Sequence, residues 1–236
     1  MEYNKQTAYH YSAFRPPLHK VILENYLVNK HFNRALDIGS GTGTSTLALL
    51  PYCKSIVGLE PSEAMIKQAI PKPEITYVQA NAEKIPFAAE EFDLITMAGC
   101  LFYAKSQKLV HEISRVLKTG ALVLIYDFEV LYYSFVEKLV NTSYIREALY
   151  NHKEDFSGLE HQEFLKENSE TATYDLTISP EQMAHILLSD TKDYIALARV
   201  FGTSSLHMKT SLKLQETYGK KIQISAMLYS TLYVKH

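Results

Sequence analysis

Asp37, Gly39, Gly41, Gly43 and Glu60 are the residues of this chain whose types and spacing could do chemistry. The glycines alternate through Asp37-Ile38-Gly39-Ser40-Gly41-Thr42-Gly43-Thr44. Glycine has no Cβ and tolerates positive φ, so such a backbone can bend tightly and let a ligand lie against it. A helix opening at that bend would offer unpaired N–H groups. A dinucleotide loop reads G-x-G-x-x-G or G-x-G-x-x-A. Here Thr44 stands three residues past Gly41, and the pattern is G-x-G-x-G. Asp37 precedes the bend, and its charge does nothing for a pyrophosphate, whereas a ligand with an ammonium and a sulfonium would gain from it. Glu60 ends the run Ser55-Ile56-Val57-Gly58-Leu59-Glu60. A carboxylate there can accept both hydroxyls of a ribose. Loop and acids together are a stronger signal than the glycines alone. Plainer roles stay open: an ordinary turn for the glycines, a helix cap or ion pair for Asp37, an exposed strand-end charge for Glu60.

These side chains need a strand before the bend and a helix after it. Residues 35–38 read as a buried strand, and 45–50 as a helix that stops before Pro51. Further strands are expected near 54–59, 75–79, 93–98 and 121–126. Helices are expected over 18–30, from Ser62 as a cap to Pro71, and over 106–117 with Gly120 as the stop. Strands alternating with helices imply a parallel sheet with right-handed crossovers. Residues 130–168 read as helical and 172–178 as a strand. Ser179-Pro180-Glu181-Gln182 is a helix start of the capping-box type. Another helix is expected over 205–218, stopped by Gly219, and a last strand over 222–234.

Four segments in this order resemble the class I S-adenosylmethionine-dependent methyltransferases, type 11-like, among them the ubiquinone/menaquinone and trans-aconitate methyltransferases. They are LDIGSGTGT at 36–44, VGLEPSEAMIKQA at 57–69, YVQANAEKIPF with FDLITMAGCLFY at 77–103, and ISRVLKTGALVLIYDF at 113–128. The resemblance covers roughly residues 33–128, and the segment from Tyr11 to Pro17 resembles a Y-x-x-x-R-P stretch found before such domains. It implies an α/β Rossmann-like fold: a seven-stranded, mostly parallel sheet with helices on both faces, an antiparallel last strand and a helical insert after strand 5. It implies an N-terminal helical cover at 1–30, a cofactor-binding core at 31–128, a lid or acceptor insert at 129–170 and a completing segment at 171–236. It implies S-adenosyl-L-methionine as the cofactor, with S-adenosyl-L-homocysteine as product. By the same resemblance Ser40 and Thr42 join the glycines, Pro61, Ser62 and Met65 shape the adenosine wall, and Ala98 and Gly99 approach the methionine. Asn81 stands where the family has an acid for the adenine amino group; its amide oxygen can still accept. Ala82 would offer its N–H to the ring edge beside Glu83. Phe102 occupies a position where the family often has histidine, and it cannot act as a base. Tyr11 and Arg15 would cover the methionine end, Arg15 pairing with its carboxylate.

Length and composition narrow the function classes. The chain has 236 residues, 47% of them apolar, so one large α/β domain with an insert can bury a core. Net charge is −2 and the basic residues are scattered, which speaks against a nucleic-acid footprint. The two cysteines, Cys53 and Cys100, form no C-x-x-C pair, and no metal site is expected. No signal peptide or membrane span is read, so a cytoplasmic protein, monomer or homodimer, is expected. Cys100 reads as packing rather than as a nucleophile, and His10, His19 and His111 as ordinary histidines. No general base is visible. Tyr132, Tyr133, Phe135 and Tyr144 are candidates to line an acceptor site. The expected activity is methyl transfer to a small molecule, first to oxygen. The alternatives are a cofactor-binding protein without transfer or with a modified cofactor and, further off, an RNA or protein methyltransferase.

Overall fold

The computed structural model describes residues 5–141 and 150–236. The elements run α1 (Lys5–Ala13), α2 (Leu18–Leu27), β1 (Phe32–Ile38), α3 (Thr44–Ala48), β2 (Cys53–Glu60), α4 (Glu63–Ile66), β3 (Ile75–Gln79), β4 (Phe92–Ala98), α5 (Leu101–Ala104), α6 (Gln107–Val116) and β5 (Leu117–Val130). Then come α7 (Tyr133–Val140), β6 (Phe164–Ile178), α8 (Pro180–Leu188), α9 (Thr191–Phe201), α10 (Leu206–Tyr218) and β7 (Ile222–Lys235). The seven strands form one sheet in the order β3-β2-β1-β4-β5-β7-β6. Neighbours from β3 to β5 are parallel. The last two run antiparallel: Thr177 pairs with Gln223, Asp175 with Ser225 and Ser169 with Thr231, one number falling as the other rises.

Strands β1, β2 and β4 are apolar on both faces because helices cover both. On one face Leu109, Val110, Ile113 and Val116 of α6 pack with Leu36, Ile38, Ile95 and Met97 in one core cluster. On the other face α3 bonds Asp37 through Ser45 and Thr46, and α2 reaches Tyr126 through His19. Strand order reverses between β1 and β4, and ligands of open α/β sheets sit beyond the carboxyl ends at such a point. The bends at 39–43, 60–62, 80–83 and 98–102 all lie at those ends.

Several expectations are corrected. Helix α6 ends at Val116, and Gly120 (φ +77) lies inside β5 instead of stopping the helix. The long apolar strand simply begins at once, with Leu117 already extended. Over 130–168 the helix is α7, residues 150–163 carry turns, and β6 starts at Phe164. Helix α9 was missed although Asp190 caps it, accepting from the N–H groups of Lys192 and Asp193. By contrast, the capping box at Ser179 and Gln182 is formed in both directions.

The chain divides into two compact units. One draws on 1–16, 129–148 and 173–227; the other, drawn from 17–128, 149–172 and 228–236, carries the strand ends described above.

Candidate cofactor site

The bend after β1 is built by left-handed backbone. Gly39, Gly41 and Gly43 have φ of +71°, +54° and +86°, a region costly for any residue with a Cβ. The three glycines differ in what their missing side chains admit. A Cβ on Gly39 would lie 2.5 Å from Cys100 Cβ. One on Gly43 would collide with the hydroxyl of Tyr77, and one on Gly58 would sit 2.7 Å from the Tyr77 ring. Gly41 alone of these faces open space, with no atom within 4 Å of the Cβ position. The bend therefore packs on Cys100 and Tyr77 beneath and presents Gly41 outward.

Glu60 locks the bend from the neighbouring strand. Its Oε2 accepts the Gly41 N–H at 3.0 Å and its Oε1 the Ser62 N–H at 3.0 Å. Each oxygen keeps a second lone pair for a further donor. The Ser40 hydroxyl is buried and has no partner among the described residues, which a bound ligand would remedy. An open glycine, a two-oxygen acceptor and an orphaned hydroxyl at one strand end fit an adenosyl group with its ribose.

Asp37 sits elsewhere than expected. It is fully buried and accepts three hydroxyls: Ser45 at 2.6 Å, Thr46 at 2.7 Å and Thr96 at 2.8 Å. Burial pushes its carboxyl up from the usual range and the three hydroxyls pull it back. These contacts tie β1 to the start of α3 and to β4, so Asp37 shapes the bend from below and does not line it. The sequence carried a signal for this in Thr96, a hydroxyl inside an apolar strand and Asp37's register partner. Tyr77 was equally readable after the fact, since Gly58 stands opposite it in the ladder.

The remaining residues fall around these strand ends. Ser62 caps α4 with its hydroxyl 3.4 Å from the Met65 N–H, and Pro61 and Met65 are exposed beside it. Asn81 Oδ1 accepts the Glu83 N–H at 2.8 Å, and Ala82 packs on the core cluster. Thr42, Ala98 and Gly99 are half-buried, and Phe102 is exposed at the start of α5. The Cys100 thiol donates to the Ile38 carbonyl at 3.0 Å, and burial raises its pKa far beyond nucleophile range. Tyr11 and Arg15 belong to the other unit, where the guanidinium lies 3.8 Å over the tyrosine ring. Of the acceptor candidates, Tyr132 packs on Tyr133 and Phe135 on Tyr218, also in that unit, and Tyr144 lies outside the described residues. His19 contacts the Tyr126 hydroxyl at 3.2 Å, His111 contacts Gln107, and His10 contacts His185. Among the described residues no His, Cys, Asp or Glu cluster could hold a metal ion, and no helix is long and apolar enough to cross a membrane.

Strand order and strand-end bend together define a Rossmann-like domain with an open strand-end site. Residues 36–125 match a family model described as a methyltransferase domain. Over 102 residues the chain is 31% identical to the uncharacterized methyltransferase YcgJ of Bacillus subtilis, covering 40% of each protein. Over 103 residues it is 36% identical to the ubiquinone/menaquinone biosynthesis C-methyltransferase UbiE of Syntrophotalea carbinolica, covering 40% of this chain and 44% of that one. The chain thus spans about half the length of the curated relatives it matches. A candidate type II methyltransferase from Anaeromyxobacter dehalogenans shares the fold at a TM-score of 0.65 and 19% identity, over 93% of this chain and 97% of that one. The [4+2]-cyclase SpnF shares it at 0.52 and 17% identity, over 93% and 81%. Over residues 36–125 the chain is thus similar to methyltransferase domains, and the fold is shared with structures described as methyltransferases.

Proposed function

We propose that the chain binds S-adenosylmethionine at the bend after β1 and transfers its methyl group to an oxygen of a small molecule. The observation that carries this is the open space at Gly41 beside the Glu60 carboxylate. Glu60 would take the ribose hydroxyls, and Asn81 and Ala82 the adenine edge. Gly41, Ser40, Thr42 and Gly99 would lie along the rest. The bound cofactor supplies an already activated methyl group on a sulfonium that leaves as a neutral thioether. The protein's share is alignment and exclusion of water. Alignment alone can contribute ~7–11 kcal/mol, against ~10²–10⁴-fold from acid–base help. The near-neutral chain and scattered lysines support a small acceptor over RNA.

Calorimetry with S-adenosylhomocysteine tests the binding claim, with Gly41→Val as control. The wild type should bind and the variant, blocked at the open face, should lose at least tenfold in affinity. Equal affinities would mean the bend is not the site. Radiolabelled methyl transfer into a metabolite extract, with the product atom assigned by NMR, then tests the reaction. A carbon-bound label would move the acceptor atom to carbon, as the name of the UbiE relative suggests. Binding without transfer would favour the second reading, a cofactor-binding protein of other activity. Two observations support it: Phe102, exposed at the start of α5, carries no group that could act as a base, and SpnF, which shares the fold, is named a cyclase.

A further inference from the structure

The carboxyl ends of β4 and β5 set two acceptors side by side, the Gly99 carbonyl and the Asp127 carboxylate. A Cβ on Gly99 would lie 3.0 Å from Asp127 Oδ1, so the two groups are close neighbours. Asp127 is held in place: Oδ1 accepts the Phe128 N–H at 2.7 Å and Oδ2 lies 2.9 Å from His152 Nδ1. The Gly99 carbonyl accepts the Tyr150 hydroxyl at 2.7 Å. Burial first, then Asp127, keeps that phenol protonated, so Tyr150 comes to these strand ends as a donor.

Residues 150–156 form a strap across these ends, and its two halves are held differently. Phe156 is fully buried, stacks on Tyr233 at 4.8 Å and 27°, and donates its N–H to the Tyr233 hydroxyl at 3.2 Å. The Tyr150 half is held by single polar contacts. Besides the bond to Gly99, Glu154 Oε2 accepts from Lys105 Nζ at 2.6 Å just past α5, and Oε1 from the Asn151 amide at 2.8 Å. The Tyr150 ring lies 4.7 Å from Phe102 and 5.6 Å from Tyr103, both exposed rings of α5. A buried aromatic is an anchor, whereas lone hydrogen bonds near water are readily exchanged. Beneath the strap, between Gly99, Phe102, Asp127 and Tyr150, a cavity of about 10 Å³ has room for no more than one water.

We propose that Tyr150 is a stopper at the methionine end of the cofactor site, its hydroxyl competing with the ligand's ammonium for the Gly99 carbonyl. The strap turns on Phe156 to admit the amino-acid arm. This regulates the site named under the S-adenosylmethionine reading and rests on that reading. A phenol has one proton to donate, and an ammonium has three and a charge that suits Asp127. The exchange therefore favours the ligand, but the bond from Tyr150 must first be given up. A site that is open for only part of the time shows an affinity lowered by that fraction. Tyr150 thus sets a threshold on ligands that carry the ammonium arm and leaves ligands without it untouched.

The test is calorimetry of wild type and Tyr150→Phe with two probes, S-adenosylhomocysteine and methylthioadenosine, the second lacking the amino-acid arm. The substitution keeps the ring contacts and removes the competing donor. S-adenosylhomocysteine should bind the variant about three- to tenfold more tightly than wild type, the gain lying in the association rate read by surface plasmon resonance. Methylthioadenosine should bind both proteins equally. Glu154→Gln, which loosens the strap from Lys105 and leaves both strand-end acceptors in place, should speed S-adenosylhomocysteine association as well. Equal or weaker binding of S-adenosylhomocysteine by Tyr150→Phe, an equal gain for both probes, or an unchanged rate in Glu154→Gln would overturn the assignment. In each of those cases wild-type binding keeps the cofactor site. Binding of neither probe by either protein removes the site itself, and the stopper with it.

Discussion

Glu60 serves two donors with one carboxylate, holding the Gly41 and Ser62 N–H groups from a strand end. Glu60→Gln keeps the shape, removes the charge, and puts an amide NH2, which cannot accept, where one of the two acceptor oxygens was. A charge-assisted hydrogen bond contributes ~1.5–3 kcal/mol. Affinity for S-adenosylhomocysteine, read by calorimetry, should fall by about ten- to a hundredfold. An unchanged affinity would remove Glu60 from the site. The glycines and this acid were legible in sequence because a bend and its flanking acid are local chemistry. Asp37 was legible as special but not as enclosed, since Thr96, one of its three donors, comes from a strand far along the chain. The pairing of Asp127 with His152 was invisible for the same reason, the two standing 25 residues apart with no periodic pattern between them.

Helix α8 shows how far local signals reach. Its capping box was read directly from Ser179 and Gln182 and is formed. Ser179→Ala should cost about 1 kcal/mol, measured by urea unfolding, because the Gln182 N–H loses its acceptor. Helix α1 had no such signal: its residues show little apolar stripe, and it is held to α8 through histidines. His10 Nδ1 lies 2.9 Å from His185 Nδ1, and both rings lie against His207. Burial first, then the two neighbouring histidines, lowers the His10 pKa to about 4 from 6.5. A folded value below the unfolded one means the unfolded chain binds the proton more readily. This contribution is therefore complete above pH 6.5 and is lost as pH falls toward 4. Hydrogen-exchange protection of α1, corrected for intrinsic rate, should drop over that window and drop less in His10→Gln. A flat profile in the wild type would refute the linkage. Strand β6 was read short because its outward residues are almost all polar, which hides a strand from any hydrophobic pattern.

For the whole molecule, a ligand held only by the folded bend would link binding to folding. S-adenosylhomocysteine at a hundred times its Kd should stabilise the protein by about 2.7 kcal/mol, seen as a raised Tm. No shift at saturating ligand would contradict the site. The alternation of strands and helices fixed the parallel half of the sheet in advance, while the second half depended on which segments pair across long stretches of chain.

The sheet's two borders differ in kind, and the difference bears on how the protein behaves when concentrated. At one border β3 is only five residues long. At the other β6 runs fifteen residues with nearly every side chain in water, Lys166, Glu167, Glu170 and Asp175 among them. A long unpaired border invites another chain to anneal along it, and charges set on such a border repel the newcomer. The polar stretch that conceals β6 from sequence patterns is thus the same stretch that guards the protein against fibrous self-association.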